Sequence, residues 1–243
     1  MKKIKKLLKM SFYDLWILRR INKYKRRSKR IISQYQSENS VQKLHIGCGG
    51  NLMSGWLNSD IFPDTIMTAY LDASQTFPIA DNTFDYVYSE HVFEHLNFQA
   101  QLNYLKESFR ILRPGGKIRI ATPDFNFLIH LASNETSTVE KEYLEWNFNH
   151  FLPAINAELK DNRDLEVYVI NNYFRDWGHQ LIHNKESLRH LINLTGFENV
   201  YELAVSESGD KCLQNIERHA EMITEEFNKL ETMIFEAEKL TTA

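Results

Sequence analysis

The chain has 243 residues with 43% apolar and 25% charged, near the average for soluble globular chains, so one large domain can bury a core. Its two cysteines, Cys48 and Cys212, suggest no disulfide framework or zinc spacing and point to a reduced, cytoplasmic setting. The net charge of -3 hides a split: 13 Lys or Arg face two acids in residues 1–40, and 16 face 30 in the rest, a basic arm on an acidic body.

No apolar run approaches the about 18 residues that span a bilayer. Residues 1–33 predict a helix, with Ile4, Leu7, Leu8, Phe12, Leu15 and Leu18 at three- and four-residue steps between basic residues. The polar stretch 34–40 (QYQSENS) reads as a linker, so residues 1–40 form an amphipathic arm and 41–243 the main domain. Three readings of the arm stay open. It is a solvated tail, a helix lying on an anionic membrane surface with Trp16 and the leucines buried, or a nucleic-acid contact, which the acidic body disfavours.

Strands are predicted at 42–47, 56–60, 66–71, 84–88 and 116–121, short β-rich runs bounded by turn signals. A helix is expected over 92–112, ended by Arg113-Pro114-Gly115-Gly116. This alternation implies a doubly wound α/β sheet. Residues 125–183 are too long and too aromatic for a connection and read as a helical insertion with its own small core. A helix over 183–197 follows, with Asn184 as N-cap, and then a strand at ENVYELAVS. In the tail, Ile216, Ala220, Ile223, Phe227, Leu230, Ile234 and Ala237 have heptad spacing. A coiled coil is one reading; a helix over 212–226 and a strand over 231–239 is preferred.

The stretch GCGGNL, Gly47 to Leu52, lacks the third glycine of the dinucleotide fingerprint, and Asp60 comes 13 residues after Gly47, earlier than that fingerprint requires. Together, LHIGCGGN…GWLNSD, LDASQTFPIADNTFDYVYSEHVFEHL and ESFRILRPGGKIRIATPD resemble the class I S-adenosylmethionine-dependent methyltransferases. The resemblance implies a Rossmann-like, seven-stranded sheet with its last strand antiparallel and S-adenosyl-L-methionine as cofactor. It implies that Gly47, Cys48 and Gly49 run under the methionine moiety and that Asp60 accepts from the ribose hydroxyls. Asp72 and Ala73 would meet the adenine, and Ser89, Glu90 and His91 would lie near the sulfonium. The family's helix between the first two strands is reduced or missing here.

His91-Val-Phe-Glu94-His95 also fits the H-x-x-E-H zinc signature, which on a helix would set His91 and His95 on one face. Some methyltransferases with E-x-x-E-H here bind a divalent metal, but His91 replaces the first Glu, and no metal site is assigned. A hydroxyl acceptor needs a base; His91 is the first candidate and His179 the second. Without an NPPY- or DPPY-like motif, the expectation is O-methylation of a small or saccharide-like acceptor in surface glycan synthesis, at the inner face of the membrane. The alternatives are a zinc metallohydrolase using His91, Glu94 and His95, or a catalytically silent binding module.

Overall fold

The computed structural model describes residues 12–133, 135–159 and 164–240, with side chains of the first helix from Arg20 onward. That helix, α1, spans Phe12–Glu38 without a break. Residues 34–38 are therefore helix and not linker. One apolar side chain per turn is enough to fix them: Ile32 and Tyr35 are buried in the main core, each worth about 1.5–3 kcal/mol. The Tyr35 hydroxyl donates to Gly55 O at 3.1 Å and accepts from Lys43 N–H at 2.8 Å. The rest of the predicted arm, residues 1–11, lies outside the described residues.

Strands β1 (Lys43–Ile46) and β2 (Leu57–Asp60) follow, with no helix between them. Next come β3 (Ala69–Tyr70) and β4 (Phe84–Glu90). α1 packs on β3, where Ser28 Oγ accepts the Tyr70 N–H and Arg27 donates to Thr65 O. After β4 the predicted helix is interrupted. A single 3₁₀ turn, Phe93–His95, precedes α2 (Phe98–Ile111), whose N-terminus is capped by Asn97 accepting from Ala100 N–H.

β5 (Leu112–Pro123) leads into the insertion: α3 (Phe125–His130), α4 (Thr138–Phe151), α5 (Pro153–Glu158) and α6 (Leu165–Arg175). The insertion has its own apolar cluster, in which Leu128, Tyr143, Phe148, Val169 and Tyr173 meet Ile223 and Phe227 from the tail. α7 (Lys185–Leu194) is capped by Asn184 as expected, and β6 (Glu198–Leu203) follows. The tail forms a 3₁₀ turn at His219–Glu221, a short α8 (Glu225–Glu231) and β7 (Thr232–Glu238).

Neither a coiled coil nor a helix over 212–226 forms. The heptad-spaced residues serve different cores: Ile216 packs with Trp56, Ile223 and Phe227 with the insertion, and Ile234 with Ala121. The final strand is where the preferred reading put it. The sheet order is β3-β2-β1-β4-β5-β7-β6, with β1 to β5 parallel and β7 antiparallel to both neighbours. The order reverses at β1, so the carboxyl ends of β1 and β4 flank the crevice where ligands of such sheets bind.

Candidate active site

Register places the residues expected for cofactor binding along that edge. Ile46 pairs with both Ser59 and Ser89, and Asp60 pairs with Tyr70, so the chain leaves β1, β2, β3 and β4 at one level. Gly47 has φ +71°, and a Cβ there would lie 2.2 Å from Val92 Cγ2. Its N–H and that of Cys48 both donate to Ser59 O, at 2.8 and 3.0 Å. Gly49 has φ +48°, and a Cβ there would meet nothing within 4 Å, so its backbone faces open space. The first glycine thus answers a packing demand of this fold. The second leaves the bare backbone open to a ligand.

Asp60 ends β2 and is held by that loop: Oδ2 accepts from Gly49 N–H at 3.0 Å and Oδ1 from Phe62 N–H at 2.7 Å. Each oxygen keeps a second lone pair for another donor. Asp72 Oδ1 accepts from the Ser74 backbone and hydroxyl, and Ala73 is buried beside it. The Cys48 thiol is buried, and burial with the nearby Asp60 charge pushes its pKa to about 11, so it is an inert wall of the loop.

Beyond β4 two residues have structural duties. Ser89 is fully buried, with Oγ 2.9 Å from the Tyr104 hydroxyl, so its side chain belongs to the core. Glu90 accepts from Arg218 N–H at 2.9 Å and His219 N–H at 2.9 Å, fixing the tail segment above the edge. His91, at φ +49°, turns the chain away from the strand while its N–H donates to Ala121 O.

His91 opens onto a cavity of about 200 Å³ between the sheet edge, the insertion and the tail. Four imidazoles (His91, His95, His179 and His219) and two carboxylates, Glu94 and Glu231, line it. Phe151 and Trp177 form an aromatic wall. Glu94 is completely buried, yet it accepts from His91 Nδ1 at 3.1 Å and Thr122 Oγ1 at 3.0 Å. Burial alone would raise its pKa; the hydrogen bond and charge of His91 outweigh that and hold the carboxyl below its ordinary range.

Glu231 is likewise buried and ionised. Desolvation opposes its charge, but His219 Nε2 at 2.8 Å and the Tyr143 hydroxyl more than offset it, with Tyr173 donating to the same oxygen as Tyr143. His91 is the counterpart: burial disfavours its charged form, but Glu94, Glu231 and Glu90 raise its pKa above the ordinary value. Burial pulls His179 the other way.

The zinc signature is not realised as a helical pair. His91 lies at a strand end and His95 at the end of a 3₁₀ turn, not one helical turn apart on one face. Among the described residues their ligating atoms fall into two separate clusters, His91 with His219 and Glu231, and His95 with Glu94 and His179.

Both expected bases, His91 and His179, therefore face one cavity, although 88 positions separate them in the sequence. Sequence reasoning missed Glu231, His219, Thr122, Tyr143 and Tyr173. Of these only Glu231 has a sequence signal, as the first residue of the predicted strand 231–239; in the structure it ends α8, and the pairing of Pro123 with Thr232 places it at the site.

A doubly wound sheet of order 3214576, with a glycine loop, two strand-end acids and a polar cavity at one edge, defines a Rossmann-like fold whose crevice suits a nucleoside-containing ligand. Residues 44–120 match the family described as "Methyltransferase domain". Residues 44–120 thus carry a methyltransferase domain, and S-adenosyl-L-methionine is the cofactor that such a domain implies. No curated protein matches the chain.

Among solved structures, it is similar to a SAM-dependent methyltransferase from Archaeoglobus fulgidus (18% identity, 94% of this chain and 100% of that one, TM-score 0.49). It is also similar to a complex of the Haloferax volcanii Trm112 methyltransferase activator with a putative methyltransferase (12%, 96% and 99%, TM-score 0.46). A third is the Haemonchus contortus phosphoethanolamine N-methyltransferase 2 with S-adenosyl-L-methionine (16%, 88% of this chain and 52% of that one, TM-score 0.43). The geometry here fits the cofactor on its own terms. The open backbone at Gly49 and Gly50, and carboxylates already aimed by backbone donors, suit a zwitterionic amino acid and a ribose diol.

Proposed function

We propose that this methyltransferase methylates a hydroxyl oxygen of a small or saccharide-like acceptor bound in the His/Glu cavity, with His91 as the base. The observation that carries this reading is the His91–Glu94 pair at the mouth of β4. When bound, the cofactor would supply a sulfonium methyl group, the methyl carbon passing to the acceptor oxygen as its bond to sulfur breaks and a neutral thioether leaves. In its neutral state His91 donates Nδ1–H to Glu94 and presents the Nε2 lone pair on the side of Thr232, 3.3 Å away. It takes the acceptor proton at Nε2 as the oxygen attacks, and Glu94 stabilises the imidazolium that forms.

Gly47, Cys48, Gly49, Asp60, Asp72 and Ala73 hold the cofactor in this reading. Glu90 contributes by fixing the 218–219 backbone, and Ser89 by packing under the strand end. Phe151 and Trp177 offer apolar faces for the C–H face of a sugar. A bound acceptor would displace water from the cavity, and proximity and orientation would supply most of the rate.

A second element of the proposal is peripheral attachment to an anionic membrane through the basic helix, suiting a glycan built on a lipid carrier. Arg20, Lys23, Arg26 and Arg30 are exposed on α1, and no described helix is long and apolar enough to cross a membrane. Full-length protein should sediment with anionic vesicles at physiological salt, and failure to do so would remove this element.

The test of the chemistry is methyl-labelled cofactor with a panel of mono- and disaccharides. A base-stable ether product is expected, and His91→Gln should lower kcat by about 10²–10⁴ at unchanged cofactor affinity. Transfer to amines but to no hydroxyl would refute O-methylation, and full activity in His91→Gln would refute the base.

A further inference from the structure

The geometry points to a divalent transition-metal site formed by Glu94, His95 and His179. Their ligating atoms lie within 4.8 Å of one another, one buried carboxylate and two half-buried imidazoles at the wall of the cavity. The donor set is the two-nitrogen, one-oxygen combination that suits zinc and its neighbours.

Three features distinguish this cluster from a chance meeting of polar side chains. The first is the state of the nitrogens. His179 Nδ1 lies 2.6 Å from Tyr173 O, and a carbonyl only accepts, so Nδ1 carries the proton and Nε2 is left with a lone pair. That backbone bond is the support a metal-ligating histidine ordinarily has. Neither ring nitrogen of His95 makes a hydrogen bond among the described residues. The two rings meet at 66° with centroids 4.8 Å apart, an arrangement that lets two nitrogens converge on one point.

The second feature is the outer support of the carboxylate. Glu94 takes one donor on each oxygen, from His91 and from Thr122. Both donors orient it, and the second lone pair on each oxygen remains.

The third is backbone stitching. Gln180 N–H and Leu181 N–H donate to Glu94 O at 2.8 and 3.2 Å, and Gln180 Nε2 donates to His95 O at 2.9 Å. Trp177 and Gly178, both at positive φ, make the turn that brings His179 back to this position. Non-glycine residues seldom adopt that conformation, which costs about 1–3 kcal/mol.

The neighbouring cluster of His91, His219 and Glu231 is a poorer cage. Its imidazoles lie stacked, 3.8 Å apart and tilted by 32°, so their nitrogens run side by side. His219 already occupies Glu231 Oε1. An ion on Glu94, His95 and His179 keeps open positions toward the cavity. On the O-methylation reading, those positions would hold an acceptor with two adjacent oxygens, such as a vicinal diol, and turn one of them toward His91.

The test is done without cofactor or acceptor, so it stands apart from the methyl-transfer reading. Zinc and cobalt(II) are titrated into metal-stripped full-length protein by calorimetry and visible absorption. Histidines protected from diethyl pyrocarbonate by zinc are then mapped by mass spectrometry. One ion per chain is expected, with cobalt ligand-field bands and protection of His95 and His179. Affinity should fall in His95→Ala and His179→Ala by more than the about 10–100-fold that loss of an outer-shell partner costs. The protection map needs no variant, so it decides even if a variant fails to fold. No binding at millimolar ion overturns the site. So does protection of His91 and His219 instead, or undiminished binding by folded His179→Ala.

Discussion

Gly47→Ala separates what the fold demands of the glycine loop from what the cofactor demands. Two costs add. An alanine held at φ +71° costs about 1–2 kcal/mol. Its Cβ would sit 2.2 Å from Val92 Cγ2, and the loop is pinned by two bonds to Ser59 O, so either Val92 or the strand end must move. Overpacking of that kind costs about 1–3 kcal/mol. The sum of about 2–5 kcal/mol corresponds to a fall in Tm of roughly 5–15 °C for a domain of this size.

Val92 is only half-buried, so Val92→Ala should be mild alone, and in the double variant it should return most of the overpacking cost. The backbone cost should remain. Thermal melts of the four proteins give a coupling energy of about 1–3 kcal/mol. Additive effects, or a Gly47→Ala protein as stable as the parent, would refute the clash. Calorimetry with S-adenosylhomocysteine then reads the functional half of the loop: Gly49→Ala, where a Cβ meets no protein atom, should weaken binding more than its own loss of stability accounts for.

Three further outcomes are expected. Asp60→Ala removes a carboxylate that also anchors Gly49 and Phe62, and should weaken cofactor binding about 10–100-fold by calorimetry, the equivalent of one charged hydrogen bond; unchanged affinity would show that the ribose lies elsewhere. His45 is buried, and desolvation, opposed by its bond to Asn58, lowers its pKa to about 4 from 6.5. The fold binds its neutral form, so this contribution is fully present above pH 6.5 and lost as pH falls toward 4. The loss approaches about 3 kcal/mol, and urea melts of the parent against His45→Asn at pH 7 and near pH 4 should show a gap that closes in acid. Arg119 is fully buried between Glu217 and Glu236; Arg119→Met leaves both carboxylates without their partner and should cost about 3–5 kcal/mol in denaturant melts, whereas a surface-like cost under 1 kcal/mol would contradict the burial.

The residues legible from sequence are those whose roles are local. The turn at Gly47 and Gly49 and the strand end at Asp60 lie within one strand-loop-strand unit, where turns and strand ends can be read from residue types, while their cofactor roles rest on the family resemblance. Asn184 was legible as a cap for the same reason. The misreadings have a common cause, a competition between local pattern and tertiary demand. His91 to His95 has the spacing of a helical face, but the His91 N–H is taken by Ala121 O and Asn97 supplies a better start for α2. The tail has heptad spacing, but Glu90 captures the backbone of residues 218 and 219 before a long helix can form. In the 34–38 stretch composition suggested a linker, whereas two buried side chains one turn apart kept the helix intact.

The cavity itself was illegible because its parts come from four chain segments: the end of β4, the end of β5, the insertion and the approach to β7. Their convergence follows from β7 running antiparallel to β5, which returns Glu231 to the edge that Thr122 and Pro123 leave. Two buried anions at one site carry a desolvation cost of several kcal/mol each, recovered only when every oxygen has a donor. Here the donors for Glu231 include Tyr143 and Tyr173, and both tyrosines belong to the insertion's core. The insertion is therefore coupled to the ionisation of the site it covers. If its core loosens, Glu231 loses donors and is driven toward protonation, and His91 loses a charge that favours its cationic form. The aromatic richness of residues 125–183 thus does electrostatic work at the sheet edge as well as packing work within the insertion.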